Sequence, residues 1–117
     1  MPTARSPIRR SDCAIAGTLD IVGDRWSLLI VRDLLFRGEL RFADLATSAE
    51  GVPTNTLTDR LRRLEEFGLV ERRAYSERPR RHQYRLTDRG RALAPVLDAM
   101  ANWGVDHLPG TRRLDDH

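Results

Sequence analysis

Leu57, Leu61 and Leu64 recur at the spacing that stacks side chains on one face of a helix, while Asn55, Asp59, Arg62 and Glu66 fall opposite, flanked by Thr58 and Arg63. Upstream, Trp26, Leu29, Ile30, Leu34 and Leu35 repeat in the same way. They predict the most apolar helix of the chain, capped by Asp24 and ended at Gly38. Before it, Ser11 or Asp12 can cap a first helix from Cys13 to about Val22, stopped by Gly23. Leu40 suits a minimal strand, and Phe42 to Ser48 a short third helix with Phe42 and Leu45 inward. Gly68 is an apt stop for the Leu57 helix. Leu69 to Ala74 and His82 to Leu86 then read as short strands across a turn from Tyr75 to Arg81, with Pro79 arguing against strand inside the turn. Thr87 caps a last helix in which Leu93, Val96, Leu97, Met100 and Trp103 form an apolar stripe running towards Leu108. Pro95 inside that helix should kink it, at about 3 kcal/mol if nothing compensates.

The order of elements is mainly α with one small hairpin. A helix, a turn through Glu50, Gly51, Val52 and Pro53, a second helix and then the hairpin predict a winged helix-turn-helix. Either Pro53 or Thr54 can open the second helix, one as a residue without an N–H to lose, the other as a hydroxyl cap. The polar face of this helix is one that can read DNA, since Asn and Arg pair bidentately with base edges and Thr hydroxyls suit bases or phosphates, although any surface helix also turns polar residues outward. Asp59 can pair with Arg62 or Arg63, accept from cytosine, or repel phosphate in non-cognate sites.

Charge sharpens the picture. From Arg60 to Arg91 eleven arginines face five acids, whereas the chain as a whole nets only +3 and the remainder is therefore −3. Arg72, Arg73, Arg78, Arg80, Arg81 and Arg85 crowd the hairpin, enough guanidinium forks for a phosphate backbone or a narrow minor groove. That concentration is the footprint of nucleic-acid binding.

The length, 117 residues, suits one domain: an arm over 1–12, a body over 13–108 and a tail over 109–117. No apolar run reaches transmembrane length, and the first residues lack the apolar centre of a secretory signal, so the expected location is the cytoplasm. One cysteine and three scattered histidines offer no metal site or internal disulfide. With no nucleophile elbow or glycine-rich phosphate loop either, neither an enzyme nor a cofactor is expected.

Across C-x5-LD-x-VGDRW-x-LLI-x-RDLL, RF-x-DL, TNTLTDRLRRLEEFGLVERR, YSERPRR, YRLTDRG and PVLDAM-x-x-W, the chain resembles the HxlR-type winged-helix transcriptional regulators, relatives of the MarR type. The resemblance implies a bacterial homodimer whose terminal helices pair through Leu93, Val96, Leu97, Met100 and Trp103. It implies two heads that bind double-stranded DNA at a pseudo-palindromic operator, with the protein at the nucleoid when bound. Pro53 to Phe67 becomes the recognition helix, with Asn55, Thr56, Thr58, Asp59, Arg60, Arg62 and Arg63 as contacts, and Tyr75 to Arg81 the wing. Many relatives open this helix with Ser-Pro, where this chain has Pro53-Thr54. The family also often carries a cysteine where Cys13 stands and uses it to sense electrophiles or oxidants.

The expected mechanism is repression by a dimer that sets two recognition helices in successive major grooves, about 34 Å apart. Arg62 and Asn55 are expected at base edges, and Arg78, Arg80 and Arg81 at phosphates or in the minor groove. Three other readings stand beside it: a winged-helix protein-interaction module, a regulator switched by a small ligand near Trp26, Phe36 and Trp103, and a Cys13 that is only a small apolar residue at a subunit interface. The apolar stripe of the last helix either folds onto its own core or pairs with a second chain, and pairing is the expectation.

Overall fold

The computed structural model describes residues 11–113, the side chain of Arg80 excepted. Most of the expected N-terminal arm, the end of the tail and the Arg80 contact therefore lie outside the described residues. Within them the chain runs α1 (Ala14–Val22), α2 (Ser27–Arg37), β1 (Leu40–Arg41), α3 (Phe42–Ala46), α4 (Thr54–Glu66), β2 (Val70–Glu77), β3 (Arg80–Leu86), α5 (Asp88–Arg91) and α6 (Ala94–His107). The strands form one antiparallel sheet in the order β1-β3-β2. It is a winged helix-turn-helix, mainly α with one small sheet, and no helix among the described residues is long and apolar enough to cross a membrane.

The core sits where α2, α3 and α4 meet the sheet. Ile30, Val31 and Leu34 of α2, Leu45 of α3, Leu57, Leu61 and Leu64 of α4, and Val70 and Leu86 of the strands form one buried cluster, with Trp26, Leu35 and Phe42 packed on its edge. Removing each such leucine from water is worth about 1.5–3 kcal/mol, so this leucine seam fixes how α4 sits on the body. The helix ends at Gly68, φ 77°, where Gly68 N–H donates to Glu65 O and Leu69 N–H to Leu64 O. These two bonds satisfy terminal carbonyls only because glycine accepts the left-handed backbone.

Trp26, not the expected Asp24, occupies the cap position of α2 and no side chain caps it; Asp24 instead organises the turn before the helix. Its Oδ2 accepts from the N–H groups of Trp26 at 3.0 Å and Ser27 at 3.1 Å, and its Oδ1 accepts from the Ser27 hydroxyl at 2.6 Å. At the first helix the Ser11 hydroxyl accepts from Cys13 N–H at 3.3 Å, and regular helix begins one residue later. Pro53 occupies the cap position of α4 and no side chain caps it; its carbonyl accepts from Leu57 N–H at 2.9 Å.

Two expectations are corrected. Tyr75, Ser76 and Glu77 belong to β2, and Arg80 and Arg81 to β3, so the connection is only Arg78-Pro79. A bulge between Ala74 and Ser76 realigns the register, letting Ser76 pair with Arg81 and Glu77 with Arg80. The last helix is also two helices. The Thr87 hydroxyl accepts from Gly90 N–H at 3.1 Å and caps only α5. The chain breaks at Ala92 and Leu93, which puts Pro95 in the first turn of α6, where its missing N–H has no intrahelical partner to lose. No interior kink results. Gly90 is what lets α5 lie against the body: a Cβ there would stand 2.1 Å from the Leu69 carbonyl oxygen.

Candidate nucleic-acid interface

The α3–α4 pair is joined by a turn through Glu50 and Gly51, the latter at φ 69°. Arg32 holds that turn in place from α2. Its Nη1 and Nη2 donate to the two Glu50 oxygens at 2.9 and 2.7 Å, while Nε and Nη2 donate to the buried Asp33 at 3.0 and 2.8 Å. The paired guanidinium keeps Glu50 below the usual carboxylate range.

On α4 the predicted contact residues divide into two groups. Asn55, Thr58 and Arg62 are exposed on one strip of the helix, and the Arg62 guanidinium makes no ion pair among the described residues. Thr58 donates its hydroxyl proton to Thr54 O at 3.1 Å, leaving the oxygen lone pairs to accept. Thr56 is half-buried. Arg60 and Arg63 turn the other way and bind the body: Arg60 Nε meets Asp24 Oδ2 at 2.8 Å, and Arg63 Nη2 donates to the Asp20 carbonyl at 3.0 Å with its guanidinium over the Phe67 ring. Asp59 pairs with Arg60, a partner not among those weighed from spacing. Burial by itself would raise Asp24, but the Ser27 hydroxyl, the Trp26 N–H, Arg60 and the Ser27 N–H together hold its pKa below the ordinary value.

The hairpin divides in the same way. At its base Arg72 faces Glu65 at 3.6 Å, Arg73 meets Glu39 at 2.8 Å and Arg85 meets Glu71 at 2.7 Å. Arg78 and Arg81, near the tip, are exposed without an ion pair among the described residues. Arg41 lies 5.4 Å over the Tyr75 ring and adds a cation beside the wing. A groove of about 190 Å³ separates wing from helix, lined by Thr58, Arg62, Glu65, Arg72 and Tyr84. Burial, aided by the nearby Glu65 charge, pushes the Tyr84 hydroxyl up. Glu39, Glu65 and Arg41 are the residues sequence reasoning passed over. Their role depends on which strand face meets which loop, and spacing could not show it: Glu39 lies 34 positions from its partner Arg73.

The profile of the HxlR-like helix-turn-helix family matches residues 21–112. The chain belongs to that family. An HTH-type transcriptional regulator of Mycobacterium tuberculosis (strain CDC 1551 / Oshkosh) is 45% identical to this HxlR-like chain over 96 residues, covering 82% of the chain and 60% of that protein. The chain thus spans about 60% of the length of that mycobacterial relative. Among solved structures, a MarR-family transcriptional regulator from Porphyromonas gingivalis W83 superposes with a TM-score of 0.77 at 30% identity, over 86% of this chain and 98% of that one. The redox regulator HypR in its oxidized form superposes with a TM-score of 0.69 at 33% identity, over 80% and 96%. These relatives are regulators and not enzymes.

The remaining predicted sites fall outside the helix and hairpin. Cys13 is exposed at the cap position of α1 and precedes the matched span. The apolar stripe of α6 splits: Leu93 and Leu97 pack against the core, while Val96, Met100 and Trp103 stand 38%, 53% and 60% exposed. Ile15 and Leu19 of α1 are exposed beside them, and with Val96 and Met100 they line an apolar groove of about 580 Å³. Trp26 and Trp103 line neither this groove nor the one that contains Phe36.

Proposed function

We propose that the chain is a sequence-specific DNA-binding transcriptional repressor that acts as a homodimer in the bacterial cytoplasm, at the nucleoid when bound. The observation that carries the reading is the division of α4. Asn55, Thr58 and Arg62 face outward beside a wing whose Arg78 and Arg81 are exposed without an ion pair among the described residues, while Arg60 and Arg63 fasten the helix from behind. Arg62 and Asn55 read base edges, and Arg78, Arg80 and Arg81 neutralise phosphates or enter the minor groove. The exposed apolar face of Ile15, Leu19, Val96, Met100 and Trp103 supports pairing of two chains, because surfaces of this kind on a small domain mark an interface. A twofold pair would present two α4 helices to a pseudo-palindromic operator, with half-sites about 34 Å apart.

Cys13 is the candidate switch. It is exposed at the start of α1, two residues from Ile15, so an adduct or an interchain disulfide would form at the edge of the pairing face. The likeness to a redox regulator supports this reading.

The test uses duplexes recovered by in vitro selection. Fluorescence anisotropy should show Arg62→Ala losing about 1–3 kcal/mol of discrimination at one base pair of each half-site. Equal loss on selected and scrambled duplexes would refute the reading role of Arg62. A protein-interaction module would bind neither duplex.

A further inference from the structure

We propose that Arg25, in the turn between α1 and α2, is a second phosphate contact, gripping the DNA backbone on the flank of α4 opposite the wing. The inference rests on the reading of the chain as a DNA-binding homodimer. Asp24 fixes this turn through its bonds to Trp26 and Ser27, and it also accepts from Arg60 Nε of α4 at 2.8 Å. Arg63, on the same side of the helix, donates to the Asp20 carbonyl of α1. Thr58, Arg62 and Glu65 line the groove towards the wing. At about 100° per residue, positions 60 and 63 lie across the helix from 58, 62 and 65. The outward strip of α4 therefore has the wing on one flank and the Arg25 turn on the other. A major groove about 12 Å wide carries a phosphate strand along each wall, and the wing serves one of them.

Arg25 is prepared for the other wall. It is exposed and makes no ion pair among the described residues, and its guanidinium carbon lies 5.2 Å from the centroid of the Trp26 ring. Trp26 itself packs against the core, so the ring is a fixed platform. A cation held over a ring needs no oxygen acceptor, which leaves the planar fork of N–H donors available to a phosphate at little further cost in side-chain freedom. The carboxylates beside it are already engaged. Asp24 is bound by Arg60, and Glu50, whose carboxyl feels the Arg25 charge, is bound by two Arg32 nitrogens. Arg25 also borders the apolar groove of Ile15, Leu19, Val96 and Met100. That groove belongs to the face proposed to pair, so the Arg25 flank turns towards the twofold axis, and the backbone it meets lies between the two half-sites.

The experiment follows the full chain on selected and scrambled duplexes by anisotropy across a salt series. Arg25→Gln should weaken both by the same factor, about tenfold at low salt, and flatten the salt slope by about 0.9 per subunit. Arg25→Lys, which keeps the charge and loses the stacked fork, should restore the slope. Duplexes that each carry one neutral methylphosphonate then locate the contact. The parent protein should lose affinity at phosphates on both flanks of each half-site. Arg25→Gln should become indifferent only to those nearer the operator centre, and Arg78→Ala only to those farther out. A slope unchanged in Arg25→Gln, a variant still sensitive to every phosphate the parent senses, or a weakened dimer in sedimentation with the slope intact would each overturn the proposal. So would a parent protein indifferent to the phosphates nearer the centre, an outcome that does not depend on how any variant folds. A parent protein that binds no selected duplex would instead strike the regulator reading, so the two failures are distinguishable.

Discussion

Replacing Arg78 or Arg81 by alanine should flatten the salt dependence of DNA binding, whereas replacing Arg72, Arg73 or Arg85 should change it much less. Each phosphate neutralised by a cation contributes a slope of about −0.9 to log K against log salt, which is about a threefold loss of affinity between roughly 50 and 200 mM. Arg78 and Arg81 carry exposed guanidiniums with no ion pair among the described residues, so each is counted at nearly full weight. The base arginines already meet Glu65, Glu39 and Glu71 at 3.6, 2.8 and 2.7 Å. Moving one to a phosphate means breaking that pair, and the carboxylate left behind repels the same phosphate. These pairs are exposed enough to be worth only about 0.2–1 kcal/mol each to folding, so the variants should remain folded. The assay is anisotropy on a selected duplex across a salt series. Equal flattening by all five alanines would refute the division of the wing. Conversely, Glu39→Gln or Glu65→Gln should steepen the slope by up to about one unit by releasing its arginine.

Glu50 has a depressed pKa in the folded chain, so the unfolded chain takes up the proton first as pH falls; its contribution is present above its ordinary value near 4.5 and is lost as pH drops through the folded value. Thermal melts from pH 7 to 3 should therefore show an acid decline that Glu50→Gln makes shallower, and parallel declines would count against the pairing with Arg32. Gly90→Ala should destabilise by about 1–3 kcal/mol or more in urea titration, since its Cβ would meet backbone 2.1 Å away; a neutral change would mean that α5 can shift. Cys13→Ser should preserve folding and DNA binding yet abolish release of DNA by thiol-reactive compounds, and release that persists would end the sensor reading.

Most of the fold was legible because its elements are local. The Leu57, Leu61 and Leu64 repeat, the Gly68 stop and the Thr87 cap are each decided by neighbours within a turn, and each appears in the structure. The errors arose where distant contacts override local signals. A bulge at Tyr75 prolongs the ladder that Pro79 seemed to forbid, and α5 packs with Gly90 against Leu69 and stops at Arg91, so Pro95 falls in the first turn of a separate helix. The polar face of α4 was visible from periodicity. That Arg60 and Arg63 point back to Asp24 and Asp20 was not, because the positions of α1 and α2 around the helix come from packing and not from spacing.

The split of α4 into fastening and outward positions has a consequence for how such a chain can change. Because Leu57, Leu61, Leu64, Arg60 and Arg63 carry the attachment, Asn55, Thr58 and Arg62 can be exchanged without disturbing it. If these three read base edges as proposed, new operators are accessible by a few surface substitutions in an inherited frame, and paralogues can diverge in target while keeping one architecture. A library randomised at those three positions alone should yield folded variants with altered base preference.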